Sequence, residues 1–281
     1  MSIDLNTISL HINTIKIVMF TSMKSQPVGH VWLVGAGPGA HDLITVRGMN
    51  LLKRAEVVIH DDLSGQDLLD YCSSECELIY VGKRAGQNHV PQAEINWLMI
   101  AHAKAGKQVV RLKGGDPSVF ARMGEELAAL RSEDILYDIV PGVTAACAAA
   151  AASGISLTQR GIASAVIFAT AHECSEKSGL TLDWEALTKT GASLCLYMGT
   201  RKLASLAEHL IAKGKKETTP LLVVSHACRK NQAIRSGTLS DAKRLASEAE
   251  GDVAMIVIGE VAASYVQLSH VHAPLAEAVE A

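Results

Sequence analysis

His30-Val31-Trp32-Leu33-Val34, running into Gly35-Ala36-Gly37-Pro38-Gly39-Ala40, is the stretch on which the fold turns. A short apolar run stopped by glycines reads as a buried strand entering a turn. Outward from it, Leu43 to Ala55 carries helical spacing, Glu56-Val57-Val58-Ile59-His60 reads as a second strand, and Leu78 to Val81 as a third. Gln92 to Ala105 is helical, opened by Pro91 and closed by Gly106. Val109 to Leu112 adds a fourth strand and Arg122 to Arg131 another helix. Strands alternating with helices predict a largely parallel α/β sheet.

Pro141-Gly142 interrupts this pattern, and a different half follows. Ala163 to Thr170, Ala192 to Met198, Leu221 to Ser225 and Ala254 to Ile258 read as strands, with helices at Lys202 to Lys213 and Ser240 to Glu248. The economical reading is two α/β domains with a ligand cleft between them: residues 28–141 and residues 142–268. Residues 1–27 read as a flexible extension, with Met19 or Met23 as alternative starts, and residues 269–281 as a tail. The uncharged run Ile139 to Gln159 is long enough to span a bilayer. It holds Pro141, Gly142 and Gly154 and is mostly Ala, Ser and Thr, so it reads as a loop plus a tightly packed small-residue helix.

The chain has 281 residues, 48% of them apolar and 20% charged, enough to bury a real core. Aromatics at 4% disfavour a protein that stacks on exposed bases. Twenty-six Lys and Arg stand against 29 Asp and Glu, which argues against a general nucleic-acid or membrane-surface binder. Six scattered cysteines match neither a zinc clip nor a thioredoxin-like pair and suit a reducing cytoplasm. Lys16 interrupts the apolar segment Ile15 to Phe20, so no signal peptide is expected.

The glycine loop can be written G-x-G-x-x-A, and Asp61 or Asp62 closes the second strand, the outline of a dinucleotide fingerprint. Pro38 counts against it, because proline has no N–H to offer a pyrophosphate. Pro38 and Gly39 suit a loop that opens space for a ligand; a plain strand-to-helix turn fits the glycines equally.

Between Lys83 and Arg122 lie seven basic residues against only Glu94 and Asp116. Lys104 and Lys107, at a helix end, read as solvated surface. Lys83, Arg84, Arg111, Lys113 and Arg122 fall at strand ends or in glycine loops, where open α/β sheets hold their ligands. There they suit a ligand with several carboxylates or phosphates, or else ordinary surface ion pairing. Gly114-Gly115-Asp116-Pro117 closes the fourth strand with a backbone that a ligand can approach closely. No phosphate loop, nucleophile elbow or H-E-x-x-H metal pair occurs.

Six stretches in order carry a resemblance: Val34-Gly35-Ala36-Gly37-Pro38-Gly39; Val81-Gly82-Lys83-Arg84-Ala85-Gly86; Val90-Pro91-Gln92 with Glu94-Ile95-Asn96; Arg111-Leu112-Lys113-Gly114-Gly115-Asp116-Pro117; Pro141-Gly142-Val143-Thr144-Ala145-Ala146; and Tyr197-Met198-Gly199. From about Val31 to Val261 the chain resembles the uroporphyrinogen-III C-methyltransferases, which make precorrin-2 on the route to sirohaem and cobalamin. The resemblance implies a two-domain α/β fold of the tetrapyrrole-methylase type, a homodimer, S-adenosylmethionine bound between the domains, and no metal.

By position it further implies a cofactor site of Pro38, Gly114, Gly115, Asp116, Val119, Thr144, Ala145, Met198 and Ala227. Asp61 and Lys83 would form the proton-transfer pair. Arg84, Arg111, Arg122 and Arg160 would orient the acetate and propionate arms of the tetrapyrrole. The sequence departs from the family at Asp62, Ser118, Ala121, Met123, Gln159 and Ala171, mostly on the expected substrate side. Alternatives are a dinucleotide-dependent oxidoreductase built on residues 35–40, a methylase of another corrin precursor, and a non-catalytic binder of anionic small molecules on the same fold.

Overall fold

The computed structural model describes residues 28–82, 90–171 and 182–266. Its first five strands are β1 (His30–Gly35), β2 (Val57–His60), β3 (Glu77–Tyr80), β4 (Gln108–Lys113) and β5 (Leu136–Val140). They form one sheet in the order β3-β2-β4-β1-β5, and every pairing in it is parallel. Helices α1 (Val46–Leu52), α2 (Gln92–Lys104) and α3 (Met123–Ser132) cover its faces. Alternation along the strands divides the core. Val31, Leu33, Val57, Ile59 and Val109 meet Ile95 and Met99 of α2 and Leu127 and Leu130 of α3. Val34, Val58, Val110 and Leu112 meet Leu51 and Leu52 of α1 from the other side. Burial on both faces is why these strands read as continuous apolar runs.

The parallel α/β sheet expected from the sequence is therefore present. Strand β5 was not anticipated, because it is an edge strand with only Val140 buried. The expected helix from Leu43 is shorter and starts later: Thr45 caps α1 by accepting from the Gly48 N–H at 3.1 Å.

After Val140 the chain crosses over. Helix α4 (Ala145–Ser153) packs not on the first sheet but on a second one. That sheet comprises β6 (Val166–Thr170), β7 (Ser193–Tyr197), β8 (Pro220–Ser225), β9 (Ala233–Thr238) and β10 (Ala254–Ile258), in the order β6-β7-β10-β8-β9. Only β6 and β7 run parallel; the other pairings are antiparallel. Helices α5 (Trp184–Lys189), α6 (Leu203–Ala212) and α7 (Ala242–Glu248) complete this half. Trp184 of α5 with Leu203, Leu206, Leu210 and Leu245 covers one face, and the alanines of α4 cover the other. Small side chains let α4 approach the sheet closely, which accounts for the alanine run. Cys195 sits in this core, and burial pushes its thiol up to about 12, so it behaves as a small hydrophobe. Strand β9 escaped the sequence reading because it is an edge with no buried residue. Among the described residues, no helix is long and apolar enough to cross a membrane.

The ends of β1, β4 and β5 converge through glycine. The Gly115 N–H donates to the Gly37 carbonyl at 2.7 Å, and the Gly37 N–H to the Gly115 carbonyl at 3.2 Å. A Cβ at Gly142 would stand 2.2 Å from the Gly115 carbonyl oxygen and 2.9 Å from Gly35 Cα. Gly142→Ala should therefore destabilise the protein by about 3 kcal/mol in urea titration, a typical overpacking cost. Gly124→Ala, in α3 with nothing within 4 Å of the new carbon, should instead stabilise it by about 0.5–1 kcal/mol.

Candidate active site

The loops leaving β1, β2 and β4 and the β5–α4 junction meet the ends of β7 and β8 of the second sheet, through Phe120 against Tyr197 and Arg229 on Pro38 and Leu63, and this junction is the candidate mouth. The first residues of the glycine loop do not offer free donors there. The Ala36 N–H bonds the Lys113 carbonyl at 2.8 Å, the Gly37 N–H is taken by Gly115, and Pro38 has none. These three positions offer nothing to a pyrophosphate, which weighs against the oxidoreductase alternative. In the loop after β4, a Cβ added at Gly115 would come into van der Waals contact with Thr144 Cα at 3.9 Å, so this loop lies against the start of α4.

Asp116 ties the β4 loop to the β5 loop. Its Oδ2 accepts from the Gly142 N–H at 2.9 Å, and its Oδ1 from the Ser118 N–H at 2.8 Å and from the Ser118 hydroxyl. Burial raises this carboxyl, but the bonds from Ser118 and Gly142 outweigh it and hold the group below its usual range. Ser118, one of the departures from the family pattern, thus has a place in the loop. So has Asp62, which accepts from the Tyr80 hydroxyl.

Tyr197, at the end of β7, spans the two halves. Its hydroxyl lies 2.7 Å from Thr144 Oγ1 and accepts from the Ala146 N–H at 3.3 Å, at the start of α4. Burial pushes the phenol up. The Phe120 ring packs 4.8 Å from it, and Phe168 5.7 Å away. Phe120, Arg122, Met198, His226 and Cys228 all adopt positive φ. Such strain in non-glycine residues persists only where surrounding contacts hold it, and here it collects around the mouth. Met198 is 59% exposed, an apolar side chain turned toward solvent.

Arg229 reaches across from the second half. Its Nε donates to the Pro38 carbonyl at 3.1 Å and its Nη2 to the Leu63 carbonyl at 3.4 Å. Gly39 beneath it has φ +138°, a backbone that side chains rarely adopt, and a Cβ there would also push the Arg229 side chain aside.

Inside the first half lies a chain of charges. Glu126 of α3 is fully buried and accepts from Lys113 Nζ at 2.8 and 2.7 Å and from Arg111 Nε at 3.1 Å. Arg111 Nη1 donates to the Ile59 and Leu112 carbonyls, and Nη2 to Asp61 Oδ2 at 3.1 Å. Asp61 Oδ1 accepts from the Leu63 N–H at 3.1 Å. Burial, reinforced by Arg111, lowers the Lys113 ammonium, while Glu126 opposes that shift.

The expectation that Arg111 and Lys113 reach out to an anionic ligand is corrected here. Both side chains are about 95% buried, and their donors go to Glu126, Asp61 and backbone carbonyls. Arg122 is exposed but paired with Glu125 at 2.8 and 2.7 Å, and Arg160 is exposed in the turn closed by Gln159 and Ala163. Lys83 and Arg84 lie outside the described residues. Pro38, Gly114, Gly115, Asp116, Val119, Thr144, Ala145, Met198 and Ala227 all fall on the loops and helix start at the mouth. Sequence reasoning gave no role to Glu126 or Arg229, nor to Tyr197 beyond its place in a family stretch. Glu126 did carry a signal: it shares the stripe of α3 occupied by Met123, Leu127 and Leu130. Arg229 carried none.

Residues 30–243 match the family of Tetrapyrrole (Corrin/Porphyrin) Methylases. The chain is 46% identical over 233 residues to siroheme synthase 1 of Pectobacterium atrosepticum, covering 83% of this chain and 48% of that protein. To siroheme synthase 1 of Klebsiella pneumoniae it is 44% identical over 244 residues, 87% of this chain and 51% of that one. The chain thus spans about half the length of the curated relatives it matches. Uroporphyrin-III C-methyl transferase from Thermus thermophilus, complexed with S-adenyl homocysteine, superposes with a TM-score of 0.72 at 34% identity, over 84% of this chain and 100% of that one. A cobalt precorrin-4 methyltransferase gives 0.73 at 29% identity, over 83% and 95%.

His60 closes β2 next to Asp61 at this mouth. Burial holds its imidazole below the usual 6.5, against the pull of the Asp61 charge and with help from Arg111. Just below pH 6.5 the unfolded chain takes up a proton here that the folded chain refuses. Stability is therefore lost as the pH falls through that window, until the folded imidazole also titrates. In calorimetry the melting temperature of His60→Asn should decline less steeply below pH 6.5 than that of the parent.

Proposed function

The chain belongs to the tetrapyrrole (corrin/porphyrin) methylases, and from that premise we propose that it methylates two ring carbons of uroporphyrinogen III in succession, with S-adenosylmethionine as donor, giving precorrin-2. The observation that carries the reading is the convergence of the Gly114-Gly115-Asp116 loop, the Thr144 start of α4 and the end of β7, where Tyr197 meets Thr144 and Met198 is exposed. The Ala36 and Gly37 N–H groups are occupied and Pro38 has none, which disfavours a phosphate at the start of the glycine loop. The relative from Thermus thermophilus holds S-adenyl homocysteine, and the siroheme synthases match along most of this chain.

In this reading Pro38, Gly114, Gly115, Asp116, Val119, Thr144, Ala145, Met198 and Ala227 hold the donor. Asp116 acts there through the backbone, by fixing the β4 and β5 loops against each other. The donor supplies an electrophilic methyl group on a sulfonium. The rest is alignment with a nucleophilic ring carbon, and good orientation is worth ~7–11 kcal/mol. The substrate is ringed by carboxylates, which Lys83, Arg84, Arg122 and Arg160 orient by charge and bidentate hydrogen bonds. Arg122 gives up its Glu125 pair to do so, at little cost, because exposed ion pairs are weak.

As the new carbon–carbon bond forms and the sulfonium–methyl bond breaks, the macrocycle gains a positive charge. Asp61 takes the proton that it then releases from a ring N–H or a bridging carbon, since the methylated carbon itself carries no hydrogen. Its carboxylate is 28% exposed and is held by Arg111 and the Leu63 N–H, leaving it directed and reachable. Lys83 completes the proton-transfer pair. The enzyme works as a homodimer in the cytoplasm, a part of the reading supported by the family resemblance. Methylation of a later corrin precursor is the second reading, favoured by the equally close superposition of the precorrin-4 enzyme.

Incubation with uroporphyrinogen III and S-adenosylmethionine should produce the dipyrrocorphin absorbance; turnover of a later precursor only would favour the second reading. Asp61→Asn should slow that turnover by about 100-fold or more, as loss of a general base does. Its affinity for S-adenosylhomocysteine, measured by titration calorimetry, should stay at the parent value. Equal losses in turnover and affinity would make Asp61 a binding residue instead.

A further inference from the structure

We infer that Glu126, which touches neither the mouth nor solvent, is a positioning residue that sets the plane of the Asp61 carboxylate through Arg111. The inference rests on the reading of Asp61 as the proton acceptor. A carboxylate on the apolar stripe of a helix is costly to bury and persists only when paired. Lys113 alone would pair it, since its ammonium reaches both oxygens at 2.8 and 2.7 Å. The further bond from Arg111 Nε to Oε1 is surplus to that neutralisation, and its effect is geometric.

A guanidinium is a rigid plane. With Nε held by Glu126 and Nη1 held by the carbonyls of Ile59 and Leu112, the direction of Nη2 has no freedom left. Nη2 points at Asp61 Oδ2. The other carboxylate oxygen takes the Leu63 N–H, so Asp61 is gripped from two sides and its plane follows from the setting of Arg111. Without Glu126 the guanidinium keeps its carbonyl bonds through Nη1 but can swing about them, and Asp61 swings with it. A displacement of an ångström at a reacting group costs on the order of 100-fold in rate.

Glu126→Gln alone would strand two buried cations and can fail to fold, so the test removes one charge of each sign. Lys113→Met/Glu126→Leu removes the acceptor for Arg111 Nε while keeping the Arg111–Asp61 pair and the balance of charge. It should fold, bind S-adenosylhomocysteine with the parent's affinity in calorimetry, and turn over uroporphyrinogen III on the order of 100-fold more slowly at little-changed KM. By nitrogen-edited NMR, the Arg111 Nε–H should be protected from exchange in the parent and exchange freely in the double variant. Asp61→Asn should cost far less in the double variant than in the parent, because both changes disable the same group. Parent-like turnover in the double variant, or losses that simply add, would overturn the inference and leave Asp61 standing. Full turnover by Asp61→Asn in the parent would overturn the role of Asp61 itself.

Discussion

Gly35, Gly115 and Gly142 meet through backbone atoms alone, and that contact governs how the strand ends of the first sheet converge. A single methyl group at Gly142 would drive into the Gly115 carbonyl. Because the three chains touch, Asp116 can reach the Gly142 N–H and lock the loop after β4 to the loop after β5. The β5 loop then leads directly into α4, which belongs by packing to the second sheet. The same contact therefore fixes where the chain leaves the first sheet for α4. Glycine is needed here for closeness and not for a special φ, except at Gly37 and Gly115, where φ is +76° and +68°.

Two kinds of polar group line the interior, and they serve different ends. The Asp116, Tyr197 and Arg229 contacts tie loops together across the mouth. The Arg111, Lys113 and Glu126 cluster is sealed within the first half and meets the mouth only through Asp61. Buried ion pairs add little net stability, because desolvation offsets attraction, yet breaking one is expensive. Such a cluster makes more physical sense as a means of fixing direction than as a source of folding energy. The strained residues around the mouth fit the same picture, since a rigid frame is what lets unfavourable φ values persist.

How much of this was legible beforehand depends on how each feature is encoded. The parallel strands of the first sheet were readable because both of their faces are buried, which leaves an unbroken apolar run such as Val57-Val58-Ile59. Edge strands β5 and β9 were not, because exposure removes that signal. The alanine helix was recognised as tightly packed, but its partner was not, since small residues mark close approach without naming the surface approached. Glycine loops, Gly-Gly-Asp-Pro and Pro-Gly-Val-Thr were legible as local motifs that imply a family.

Sequence alone thus determined the strand and helix order of the core, the break at Pro141-Gly142, and the family, because these are carried by local periodicity and by short motifs. Tertiary structure decided where charge points. Arg111 and Lys113 sit in a basic stretch that reads as a ligand grip, yet they turn inward, because an acidic side chain on a helix beginning ten residues later lies beneath them. It likewise decided that Arg229 reaches Pro38 from the far half of the chain. Charge is a property of a residue, but its direction depends on neighbours that the order of residues does not place beside it.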